Sequence, residues 1–107
     1  MFHRRDKIEI KPHGVQYDKD GRIIHSSDGY TLLSDSCFIE QSGSVMERTG
    51  ADGVTYSYSF VVHSSISDLP KKGDMVRLTK ADGTLTIELE VKDSWYYPNI
   101  RKSRIWL

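Results

Sequence analysis

Cysteine is almost missing from this 107-residue chain, where Cys37 stands alone. One thiol excludes an internal disulfide framework and any multi-cysteine zinc site. It also fits a reducing compartment. An excess of one charge is missing too, because 15 Lys and Arg face 15 Asp and Glu for a formal net charge of zero. Broad, non-specific nucleic-acid binding normally needs a clear basic excess, so that class is disfavoured. No apolar run approaches the roughly 20 residues of a membrane span, and no membrane association is expected. The start of the chain, Met1 to Lys7, carries charge without a following apolar segment, so no signal peptide is expected and synthesis is assigned to the cytoplasm. No segment repeats apolar residues at i, i+3, i+4 and i+7 over three turns, which predicts little helix.

Catalytic signatures are missing as well. His3, His13, His25 and His63 show no His-x-His or His-Glu-x-x-His spacing, and none neighbours another ligand type in sequence. Cys37 sits in an apolar stretch between Ser36 and Phe38, the setting of a small buried filler rather than of an activated thiolate. Glu88 and Glu90 alternate with apolar positions and so point to solvent, where they keep a sheet face soluble. There is no Gly-x-Gly-x-x-Gly, phosphate-binding loop or nucleophile elbow. The expectation is a non-enzyme with no catalytic residue, no metal and no cofactor.

What the chain does have is alternation. Leu85, Ile87, Leu89 and Val91 interleave with Thr86, Glu88 and Glu90, the pattern of a half-buried strand. Lys80-Ala81-Asp82-Gly83 supplies a tight connection to the strand before it. Together with Arg104 to Leu107, this predicts a closing meander of three short strands. Val54, Tyr56, Tyr58, Phe60 and Val62 form a second strong alternating run. Weaker strands are predicted around Ile8 and Ile10, over Arg22 to His25, from Tyr30 to Leu33, and from Ser36 to Gln41. Asp18 to Gly21 and Ser26 to Gly29 read as turns, and His63 to Pro70 as a departure from the sheet with one short helical turn. The composition, 37% hydrophobic and 28% charged, is that of a folded chain. Its length suits one core. The fold class is therefore all-β: one domain over residues 1–107, a small barrel or sandwich of about six antiparallel strands with a long mobile loop and little helix. Ile39, Tyr58, Phe60, Val76, Leu78, Ile87 and Leu89 are the predicted core.

Two segments stand out as surfaces. Ser42 to Gly53 is polar, and Gly43, Gly50 and Gly53 mark it as a mobile loop or a long hairpin tip; it also holds Val45, Met46, Glu47 and Arg48. Trp95-Tyr96-Tyr97-Pro98 lies beside Arg101, Lys102 and Arg104, with a second basic cluster at Arg4 and Arg5. Aromatic and basic residues in this mixture can stack bases, build a protein interface, or simply cap the core while Pro98-Asn99 turns the chain.

The order of these features resembles the head-closure, or head–tail joining, proteins of tailed bacteriophages and prophages. The residues that carry the likeness are Cys37-Phe38-Ile39-Glu40-Gln41-Ser42-Gly43, the glycine-bearing loop, the Tyr-x-Tyr-x-Phe-Val-Val strand ending at Val62, and Ile66 to Pro70 leading into Gly73-Asp74-Met75-Val76. The likeness runs from about Lys7 to Leu107. The Tyr17–Leu33 region and the Trp95-Tyr96-Tyr97-Pro98 insertion have no counterpart in that pattern. The resemblance implies a structural virion protein that assembles in the host cytoplasm. Such a protein forms a homo-oligomeric connector ring against portal or adaptor and tail proteins, close to packaged DNA. By position, Ser42 to Gly53 is the assembly loop and the basic, aromatic cluster an interface. A monomer is expected in isolation. Two other classes fit the composition: a nucleic-acid-binding barrel of the OB or cold-shock type, and a bacterial accessory interaction module.

Overall fold

The computed structural model describes residues 5–11, 19–21 and 29–107. Seven strands appear among them: β1 (Asp6–Lys11), β2 (Thr31–Thr49), β3 (Thr55–Ser64), β4 (Met75–Thr79), β5 (Thr86–Glu90), β6 (Asp93–Tyr97) and β7 (Lys102–Trp106). All ladders are antiparallel and the spatial order is β5-β4-β1-β2-β3-β7-β6. No helix occurs among the described residues, so the single turn anticipated after His63 is not formed. Arg4, Tyr17 and the return strand over Arg22 to His25 lie outside the described residues.

One strand, β2, is shared between the halves of the sheet. The first part of β2 pairs with β1 through Thr31, Leu32, Ser34 and Cys37, and from Phe38 onward β2 pairs with β3. β5 and β6 lie at opposite edges, yet only Val91 and Lys92 separate them in the chain. The Val91 amide donates to the Asp74 carbonyl at 2.8 Å, while the Lys92 amide donates to Trp106 at 2.8 Å. One peptide bond thus carries the chain from one half to the other. The halves face each other as in a β-sandwich. No ladder joins β5 to β6, so the sheet is not closed and the barrel alternative is not realised.

The core lies between the halves and comprises Ile8, Cys37, Ile39, Phe60, Val62, Val76, Leu78, Val91, Ile105 and Leu107. Four of the seven expected core residues are fully buried in it. Ile87 and Leu89 are half-buried, because β5 is an edge strand. Tyr58 is half-buried for a different reason. The amides of Ser59 and Phe60 both donate to the Leu107 carbonyl, at 2.7 and 2.9 Å. Two residues opposite one is a bulge, which breaks the alternation and turns the start of β3 out of the core.

Two other expectations are corrected. The closing meander is instead two hairpins, β4–β5 and β6–β7, at opposite edges, and Trp95-Tyr96-Tyr97 lies in strand β6. Most of Ser42 to Gly53 is strand. Met46, Glu47, Arg48 and Thr49 pair with Tyr58, Ser57, Tyr56 and Thr55, and the turn itself spans only Gly50 to Gly53. Ser42 to Val45 form a wide bulge between the pairs Gln41–Phe60 and Met46–Tyr58, and Gly43 lies in it. The glycines that suggested a loop mark this bulge and the turn, where Gly53 has a φ of 80° and Asp52 accepts the Val54 amide at 3.0 Å.

Candidate interaction surface

The register lines up two rows of side chains across β2, β3, β7 and β6. One row runs Phe38, His63, Arg104, Trp95, and the other Glu40, Val61, Trp106, Asp93. Members of the two rows are two residues apart on each strand, so both lie on one face. The opposite face carries Ile39, Val62 and Ile105 into the core. The outward face is therefore aromatic and charged, with cations on β7 and carboxylates at either side.

The hairpin arm formed by Met46–Thr49 and Thr55–Tyr58 folds back onto the second row. The Arg48 guanidinium donates to the Asp93 carboxylate and to the Tyr56 hydroxyl, both at 2.7 Å, and lies 3.8 Å from the centre of the Trp106 ring. Tyr56 donates to the same Asp93 oxygen at 3.3 Å. Partial burial works against the Arg48 charge, but its bonds to Tyr56 and Asp93 outweigh this and raise its pKa further. Burial, ahead of the opposing effect of Arg48, raises the pKa of the Tyr56 phenol. A methyl group on Gly50 would meet the Asp93 carboxylate at 3.3 Å, so the backbone approaches closely there. Under this cover Trp106 is only 4% exposed although it is on the outward face. Val45 in the bulge, Met46 on the arm and Val54 before β3 remain exposed.

At the other end of the same face lies a cleft of about 640 Å³. Phe38, Tyr97 and Ile100 give it apolar walls, and Lys102 and Arg104 give it positive charge. Arg104 lies 5.7 Å from the Tyr97 ring centre, and Lys102 reaches the Ser65 hydroxyl at 3.4 Å. Among the described residues, no carboxylate pairs with Arg101, Lys102 or Arg104. His63 is bonded to Glu40 at 2.7 Å on the rim. Beneath the cleft, Ser64 and Ser103 share a buried hydroxyl bond, and burial together with the nearby Asp6 pushes the Cys37 thiol up to about 12. That thiol is neutral at physiological pH, as its filler role requires.

Of the residues expected at an interface, Trp95, Tyr97, Lys102 and Arg104 share the outward face, and Arg101 stands in the β6–β7 turn with a φ of 53°. Tyr96 pairs with Ser103 and takes the other face. Arg5 precedes β1, which β2 and β3 separate from β7, and does not join the rows. Three residues escaped the sequence reading. Trp106 has the same parity as Lys102 and Arg104, a signal that places it outward. Asp93 had no local signal, since its role depends on a partner 45 residues away. Asp6 has the parity of Ile8 and Ile10, and it is fully buried while accepting the amides of Ile39 and Ala81 at 2.8 Å each. Among the described residues no group of three His, Cys, Asp or Glu is placed to hold a metal ion, and no helix is long and apolar enough to cross a membrane. Comparison with protein-family models, with curated proteins and with solved structures returns no match.

Proposed function

We propose that this chain is a non-enzymatic assembly protein of the head-closure type, a ring component between the portal side of a phage head and its tail. The observation that supports this reading is the β2–β3 arm. It occupies the position of the assembly loop in the family the sequence resembles, and it presents Val45, Met46 and Val54 to solvent. Apolar side chains exposed on and beside a folded arm, outside the core, form a surface suited to a neighbouring subunit. The segment is a long hairpin, one of the two forms its sequence allows, so assembly acts through a folded hairpin. Portal or adaptor and tail proteins are the proposed partners, and the isolated chain is proposed to be a monomer.

The test is deletion of the gene from the phage or prophage that encodes it. DNA-filled heads without tails, beside free tails, are the expected products by electron microscopy. Complementation with a Val45→Asp, Met46→Asp double variant should fail although the variant folds. Normal yields of tailed particles from the deletion would refute the assignment.

A further inference from the structure

The cleft at the Lys102–Arg104 end of the outward face is unrelated to the arm and has its own recognition chemistry. Lys102 and Arg104 stand two residues apart on β7, on one face, which spaces their Cα atoms by about 7 Å. No carboxylate of the described residues neutralises either one. Beside them are the Phe38 and Tyr97 rings and the exposed Ile100 side chain. A cavity of about 640 Å³ is within the range of about 300–1,000 Å³ that encloses a drug-sized ligand, or a few residues of peptide.

We infer that this cleft binds a short extended acidic segment of a partner protein, of the pattern apolar-x-acid-x-acid. In an extended chain, acids at i and i+2 point the same way at the same spacing of about 7 Å as Lys102 and Arg104. An apolar residue two positions earlier also takes that side, where it enters the space between Phe38 and Tyr97. Arg104 supplies a planar fork that can hold a carboxylate with two parallel hydrogen bonds, and Lys102 supplies a point charge. A continuous polyanion matches less well. Glu40, 58% exposed and bonded to His63, stands on the same face, so a phosphate chain leaving Arg104 across the face toward β2 meets a carboxylate. The zero net charge of the chain adds no long-range attraction for nucleic acid. The inference rests on the cleft alone and stands apart from the head-closure reading.

The experiment is a titration of the isotope-labelled protein, followed by amide chemical shifts, with the peptide acetyl-Phe-Ser-Glu-Ser-Glu-amide. Shifts confined to residues 36–38, 63–65 and 97–104 with a Kd below about 1 mM are expected. The Gln analogue of the peptide should bind at least about tenfold more weakly, since charge-assisted hydrogen bonds are lost. Lys102→Gln combined with Arg104→Gln should abolish binding and leave the melting temperature unchanged, both side chains being exposed; Arg104→Gln alone should weaken it. Three results would overturn the inference: no shifts at millimolar peptide, equal binding of the Gln analogue, or unchanged binding by the double variant. Tighter binding of a thymidine pentanucleotide at the same residues would overturn it in favour of nucleic acid.

Discussion

Replacing Arg48 by alanine removes what holds the arm to the body. The guanidinium makes one charge-assisted bond to Asp93, one bond to Tyr56, and a stack on Trp106. A hydrogen bond to a charged group contributes about 1.5–3 kcal/mol when buried, but the two side chains are 31% and 28% exposed, which reduces this toward about 1 kcal/mol. Stacking of the cation on the indole adds about 0.5–1 kcal/mol. Arg48→Ala should therefore cost about 2 kcal/mol, or roughly 8–12 °C in melting temperature for a chain of this size. Fluorescence gives a second readout. Trp106 is 4% exposed and Trp95 49%, so in a Trp95→Phe background the emission reports Trp106 alone. Arg48→Ala should shift that emission to the red as the ring meets water. A double-mutant cycle with Asp93→Asn should return a coupling of about 1 kcal/mol. An unchanged melting temperature together with unchanged emission would refute the latch, and show that the arm stays in place without Arg48.

Asp6→Asn replaces one of the two amide-accepting oxygens by a donor facing the Ile39 or Ala81 amide, and should cost about 1–3 kcal/mol by chemical denaturation. Cys37 should resist thiol reagents at pH 8 in the native state and react fully in denaturant. Because its pKa rises from 9.0 to about 12, the unfolded state loses the proton first, so its contribution to stability is intact below pH 9 and declines from there to about pH 12. Phe60→Ala should lower stability by about 3–5 kcal/mol, and an unchanged melting temperature would mean the ring is not in the core. In hydrogen exchange on the free protein, amides bonded across the Met46–Thr49 ladder should be protected, while Ser42 to Val45 in the bulge exchange fast.

The strands were legible wherever one face meets the core and the other meets water over several residues. β4 and β5 follow this rule, and Asp82-Gly83 fixes their turn, with Gly83 at a φ of 75°. The same rule placed Ile39, Phe60, Val76 and Leu78 correctly. It failed for Tyr58 because a bulge is a two-against-one relation between strands, which a single strand's pattern does not record. It failed for β6 because that strand is an edge whose Trp95 is exposed, so no apolar alternation announces it. Within the candidate surface, the composition of Trp95 to Arg104 was visible in the chain. The unneutralised state of Lys102 and Arg104 was not, since it depends on which carboxylates other strands bring near. In the sequence, glycine at 43, 50 and 53 signals freedom, yet at Gly50 it provides room for the Asp52 and Asp93 carboxylates.

The crossing at Val91 and Lys92 bears on how the chain folds. Since β2 and the continuous β5–β6 segment each belong to both halves, neither half contains a complete set of its own strands. Pairing Ile8 with Leu78 closes a loop of about 70 residues, and Val61 with Trp106 one of about 45. Closure entropy of that size precedes most of the reward from packing, which places folding in the slow, millisecond-to-second regime of non-local β topologies. It also removes the option of a stable half-domain. Until β7 is available, β3 has only β2 beside it and β6 has no partner strand, so the β6–β7 edge is added after the β2–β3 pair can form.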